Sequence, residues 1–151
     1  MLKRSRHILI FPVLIVLFFV SQSSNYINPL TTGLKPSAGE RESAANAGES
    51  LYIKHCLQCH QKDGSGVPNM FPPVMKSDWV KGDKTRLINV LLKGLDGDIE
   101  VSGEQYSQVM PKQDYLTDTE IAQVLTYIRQ NFGNDAGAIN PDEVATVRGK
   151  N

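Results

Sequence analysis

Two stretches of the chain place apolar residues at helical spacing. In the first, Leu87, Val90 and Leu91 fall on one face with Ile88 and Leu92 beside it, Asp83 stands where a helix is capped, and Gly94 marks the stop. In the second, Ile121, Val124, Leu125 and Ile128 repeat, Thr117 and Glu120 have the spacing of a capping box, Leu116 and Ile121 that of a hydrophobic staple, and Gly133 ends the run. A further helix is expected from Asn46, where Asn46 and Glu49 have capping-box spacing, through Tyr52 and Ile53 to the cysteines; Gly48 and Tyr52 share one of its faces. Between these elements the pattern breaks. Gly64, Gly66, Pro68, Pro72 and Pro73 rule out a regular element over most of Gln61 to Lys81, which reads as a shaped loop. Asp96 to Tyr115 is again irregular, with a short hairpin of Ile99-Glu100-Val101 and Gln105-Tyr106 around Ser102-Gly103.

The two ends of the chain read differently. Lys3, Arg4, Arg6 and His7 precede an unbroken apolar run from Ile8 to Val20, and Ser21-Gln22-Ser23 follows with small residues. Residues 1–23 therefore read as a secretory signal peptide or, if uncleaved, as an anchor through residues 8–20 in the inner membrane. The run falls short of the roughly 20 residues that span a bilayer, and Pro12 interrupts it. Either reading sends the rest of the chain out of the cytoplasm, to the periplasm. Residues 24–43, rich in Ser, Thr, Gly, Pro and Asn without an apolar period, read as a flexible linker. Residues 134–151 read as a peripheral tail with a turn at Pro141-Asp142-Glu143. What remains is one domain, residues 44–133, with few apolar side chains for its size, a deficit that a large apolar cofactor would fill.

The only two cysteines stand in Cys56-Leu57-Gln58-Cys59-His60. In an exported chain two cysteines would ordinarily form a disulfide, but a dithiol two residues apart followed at once by histidine is the attachment signature of c-type haem. Two thiols on one helical turn can each add to a vinyl group of the same porphyrin, and the next side chain projects an imidazole at the iron. A thioredoxin-like pair would follow a strand in a βαβ unit, and none precedes it. A zinc site would need more ligands than His55 supplies. One covalently attached haem c is therefore the expected cofactor, with His60 as an iron ligand.

For the sixth ligand, His55 sits on the attachment helix and cannot reach the opposite face, which leaves methionine, a thioether suited to an electron carrier. Met110, held extended by Pro111 in a loop between helices, is preferred; Met70, Met75 and an open iron site are the alternatives. An open site would make the chain a haem enzyme or sensor, such as a peroxidase, rather than a carrier. Trp79 and Tyr115, and less so Tyr106, carry polar tips able to reach a haem propionate, although such aromatics also serve as plain core.

Charge bears on partners. Without Lys3, Arg4 and Arg6 the chain holds 13 basic and 16 acidic residues, a net of −3 that offers nucleic acid nothing. Lys54 to Lys93 carries a net +4 and Gly94 to Asn151 a net −6, an asymmetry able to orient a docking partner. Lys54, Lys62 and Lys76 stand near the haem motif, where they could meet an acidic partner as readily as plain solvent.

The landmarks from Ala44 to Phe132 resemble the class I c-type cytochromes: Gly48-Glu49-Ser50-Leu51-Tyr52, then Cys56 to His60 with Asp63-Gly64, then Phe71-Pro72-Pro73, then Met110-Pro111 ahead of the last helix. Ser77-Asp78-Trp79 and Leu125-Thr126-Tyr127 are similar to the small cytochrome domains that accompany periplasmic quinoprotein dehydrogenases or copper nitrite reductases. The resemblance implies an all-α cytochrome c fold of three to five short helices around one haem, and an electron carrier that is not itself an enzyme. Its partners would be redox proteins, among them a quinoprotein dehydrogenase, a copper nitrite reductase, a bc1-type complex or a terminal oxidase. It also implies that the first and last helices cross, Gly48 and Tyr52 meeting Leu125, Tyr127 or Ile128. A carbonyl of Pro72 or Pro73 would accept a hydrogen bond from the ring of His60. Met75-Lys76 and Lys112 depart from the family's usual small and apolar residues.

Overall fold

A computed structural model describes residues 37–150. The signal or anchor expected at residues 1–23 and most of the linker expected at 24–43 lie outside them. Ser37 opens the first helix, α1 (Ala38–His55), through a capping box: its backbone N–H donates to Glu40 Oε2 at 2.7 Å, and Glu40 N–H donates to Ser37 Oγ at 3.4 Å. The helix thus begins eight residues before the expected start at Asn46, which lies inside it, and residues 38–43 are helical rather than linker. No apolar period announces these turns because they are solvent-exposed on all sides.

α1 continues through Cys56 into a single turn, α2 (Leu57–His60). After the proline loop come another short turn, α3 (Asp78–Lys81), and α4 (Lys84–Lys93), capped where expected by Asp83, whose carboxylate accepts from Arg86 N–H at 2.6 Å. The expected hairpin is present: β1 (Ile99–Val101) pairs antiparallel with β2 (Glu104–Tyr106), Ile99 opposite Tyr106. α5 (Asp118–Gln130) opens on the Thr117–Glu120 capping box and ends three residues before Gly133.

Among the described residues the fold is all-α apart from that hairpin. α1 crosses α5 at Gly48, where any side chain would collide: a Cβ there would lie 2.5 Å from the Gln123 carbonyl oxygen and 2.8 Å from Tyr127 Cβ. Tyr52, one turn on, is buried, its ring 5.8 Å from that of Tyr127 and 4.9 Å from that of Phe132. Of the candidates for the crossing, Tyr127 meets both, joined by Phe132 from beyond the helix.

The tail is not peripheral. Residues 141–148 form α6 (Pro141–Arg148), with proline in its first turn and Glu143 accepting from Asn140 N–H at 2.7 Å. α6 buries Val144 and Val147 against α4 and α5. Polar ties fasten it: Lys84 Nζ to Glu143 at 2.9 Å, Arg148 Nε to Asp118 at 2.7 Å, and Arg148 to the carbonyls of Asp114 and Leu116. Ahead of α6, buried Arg129 donates to the Gly137 carbonyl at 2.7 Å and the Val80 carbonyl at 2.5 Å. The sequence hid this element because two valines in eight residues make too weak a stripe to register.

Candidate functional site

Cys56 lies where α1 hands over to α2. Its N–H still donates to the Tyr52 carbonyl, while its carbonyl accepts from His60 N–H, both at 2.9 Å, so one continuous turn presents Cys56, Cys59 and His60 together. Both thiols are free. Burial pushes the Cys56 thiol up to about 12, with the neighbouring Cys59 adding to the effect. That is the direction of a buried thiol rather than of an activated nucleophile.

The loop beyond His60 folds back under it. Gly66 N–H donates to the His60 carbonyl at 3.0 Å, Val67 and Phe71 exchange two bonds of 2.8 Å, and this brings the Pro72 carbonyl oxygen to 2.9 Å from His60 Nδ1. Of the two prolines considered, Pro72 makes this contact. A carbonyl only accepts, so Nδ1 is assigned the proton and Nε2 the lone pair. Burial lowers the imidazole's proton affinity and the Pro72 bond opposes this; the net shift is downward, which keeps the ring neutral and able to bind a metal.

These groups open onto one shared cavity. Its walls are mostly apolar and include Leu87 and Leu91 of α4 and Val124 and Leu125 of α5, so these residues are both core and lining. Pro72 and Pro73 line it too. Among the described residues Met110 is the one methionine on the wall; Met75 is absent from it, and Met70 is 44% exposed. Met110 is held there by a two-bond bridge with Leu95, N–H to carbonyl in both directions at 2.9 and 3.0 Å.

Other expectations shift. Trp79 lines the cavity, but its indole N–H donates to the Glu100 carbonyl at 2.7 Å, so its polar tip is engaged with the hairpin. Tyr106 donates to Glu104, and Tyr115 is an exposed side chain whose hydroxyl meets Gln113 and His55. His55 is half-buried at the cavity wall. Gln113 and Leu95 line the cavity as well, and no sequence signal pointed to either.

The chemistry of the set fits haem c. Two thiols, a neutral imidazole and a thioether line one apolar cavity, the donor set that covalent haem attachment and iron ligation require. Among the described residues no group of three or more His, Cys, Asp or Glu is placed to hold a metal ion directly.

The family model for cytochrome c matches residues 45–132, more than half of the chain. The chain belongs to the cytochrome c family. A cytochrome c-552 of Thermus thermophilus is 42% identical over 91 residues, covering 58% of this chain and 69% of that protein. The cytochrome c subunit of a quinone alcohol dehydrogenase from Gluconobacter oxydans is 34% identical over 122 residues, and the CcoP subunit of a cbb3-type cytochrome c oxidase from Cereibacter sphaeroides 27% over 124. Of those last two this cytochrome spans only 24% and 42% of the length. Members of the family bind haem c covalently, and Cys56 and Cys59 fit the attachment motif. It is an electron carrier, not a catalyst, and its partners are redox proteins. No helix among the described residues is long and apolar enough to cross a membrane.

Proposed function

We propose that this cytochrome shuttles single electrons in the periplasm, and that His60 Nε2 and the Met110 sulfur would hold the iron of a haem tethered by Cys56 and Cys59. One observation carries the reading: the attachment turn and the only wall methionine among the described residues open onto the same apolar cavity. Haem c bound there supplies a reversible Fe(III)/Fe(II) couple. The protein's part is to keep His60 neutral and oriented through Pro72, to hold Met110 in place through Leu95, and to exclude water with the walls of α4 and α5.

The test is the absorption spectrum of the oxidised holoprotein. A far-red band from iron–thioether bonding that vanishes in Met110→Ala supports this ligation; high-spin iron already present in the wild type overturns it.

Residues 1–23 would direct export, or anchor the protein through residues 8–20. The proposed electron donor is a quinone-dependent dehydrogenase and the proposed acceptor a terminal oxidase, because relatives bear the names of subunits of both kinds. The net +4 of Lys54 to Lys93 favours a partner with an acidic docking face. Electron exchange with such a partner is expected to slow steeply as salt is raised, measured by stopped-flow mixing at several ionic strengths.

A further inference from the structure

Tyr115 is 64% exposed, so its ring buries little, yet its hydroxyl joins two residues of the cavity wall: it stands 3.1 Å from His55 Nδ1 and donates to Gln113 Oε1. Gln113 in turn donates through Nε2 to the Pro111 carbonyl at 3.2 Å. His55 is the last residue of α1, directly ahead of Cys56, and Pro111 directly follows Met110. The chain of bonds therefore runs from the attachment helix to the loop that carries Met110.

Donor and acceptor types set its direction. A carbonyl only accepts, so the Gln113 amide turns its nitrogen to Pro111 and its oxygen to Tyr115. That oxygen also only accepts, so the single hydroxyl proton of Tyr115 points to it. The phenolic oxygen is left as the acceptor toward His55, and Nδ1–H is the donor. All three bonds run in one sense, His55 to Tyr115 to Gln113 to Pro111, and bonds aligned in this way polarise one another. The His55 and Tyr115 rings also lie against each other, their centroids 5.7 Å apart.

The same loop is fastened elsewhere by other groups. Gln113 N–H donates to the Leu91 carbonyl of α4 at 2.6 Å, and Arg148 of α6 donates to the Asp114 carbonyl at 3.0 Å. These bonds tie the loop to α4 and α6. Among the described residues, the hydrogen bond that ties it to α1 is the one from His55 to Tyr115.

We infer that Tyr115 is a positioning residue for Met110: its hydroxyl straps the methionine loop to the attachment helix and so keeps the thioether seated against the iron. The inference rests on the ligation proposed above. A loop strapped to the attachment helix as well swings away less often, so a competing ligand finds the iron open for less of the time.

The test is an imidazole titration of the oxidised holoprotein, followed by loss of the far-red band, with wild type, Tyr115→Phe, His55→Leu and His55→Asn. Imidazole takes the place of Met110, so its apparent affinity reports how often the loop is open. Tyr115→Phe keeps the ring and removes both bonds of the hydroxyl, which is expected to raise imidazole affinity about fivefold. His55→Leu, which has no donor, should do the same, and His55→Asn, whose amide nitrogen stands near the place of Nδ1, should return the affinity toward wild type. Wild-type imidazole affinity in Tyr115→Phe overturns the inference, even if its denaturant midpoint falls, and so does an equal rise in His55→Asn and His55→Leu. A wild-type protein with no far-red band to lose overturns the ligation reading itself.

Discussion

Met110 shows how much a single position depends on its neighbours. Its bridge to Leu95 requires the chain to turn at Gly94 with φ of +75°, and a Cβ there would run into the Met110 carbonyl oxygen and lie 3.0 Å from Lys112 N. Gly94→Ala is therefore expected to cost about 1–3 kcal/mol of stability and to weaken the far-red band. Gly97 also has positive φ, +96°, but nothing lies within 4 Å of its missing Cβ. Gly97→Ala should cost about 1 kcal/mol or less and leave the band intact, and denaturant titrations with spectra of both variants check the pair. The attachment residues were legible at this level because their chemistry is local: Cys56, Cys59 and His60 share one turn. Leu95 was not, because its bond to Met110 spans fifteen positions with no pattern to mark it.

Helices announced themselves where they bury a stripe. α4 and α5 were readable because each puts one apolar face on the core and carries its own cap. The start of α1 was misplaced because the cap at Ser37 and Glu40 precedes turns that pack on nothing. These caps also set an acid limit. Hydrogen bonds from the Thr117 backbone and hydroxyl hold Glu120 below the ordinary glutamate value of 4.5. A carboxyl lowered in the folded state contributes stability that is complete above its unfolded value and lost as pH falls through the folded one. Stability is thus expected to drop on acidification below about pH 4.5. Glu120→Gln should make that acid limb shallower, as measured by thermal melts between neutral and acidic pH.

The described residues pack as a shell around their own cavity. Side chains such as Val80, Leu87, Leu91, Val124 and Leu125 are buried and at the same time line the space meant for the porphyrin, so the core is complete only when that space is filled. Haem-free protein, made as a double Cys56→Ala, Cys59→Ala variant, is expected to keep much of its far-ultraviolet circular dichroism. It should lose its near-ultraviolet signal and bind a hydrophobic dye. A sharp, cooperative melt with native near-ultraviolet bands would refute this. α6 belongs to the shell as well, since Val144 and Val147 seal the outer side of α4 and α5.

Family, cofactor and the main helices follow from the order of residues, because the haem motif, the caps and the apolar stripes are interactions within a few positions of the chain. Tertiary structure alone chose Pro72 over Pro73 as the partner of His60, brought Leu95 against Met110 at the cavity wall, and drew the last helix into the core. Each of those outcomes depends on which distant segments approach closely enough to exchange a hydrogen bond or bury a side chain, and such approach has no period or motif along the chain.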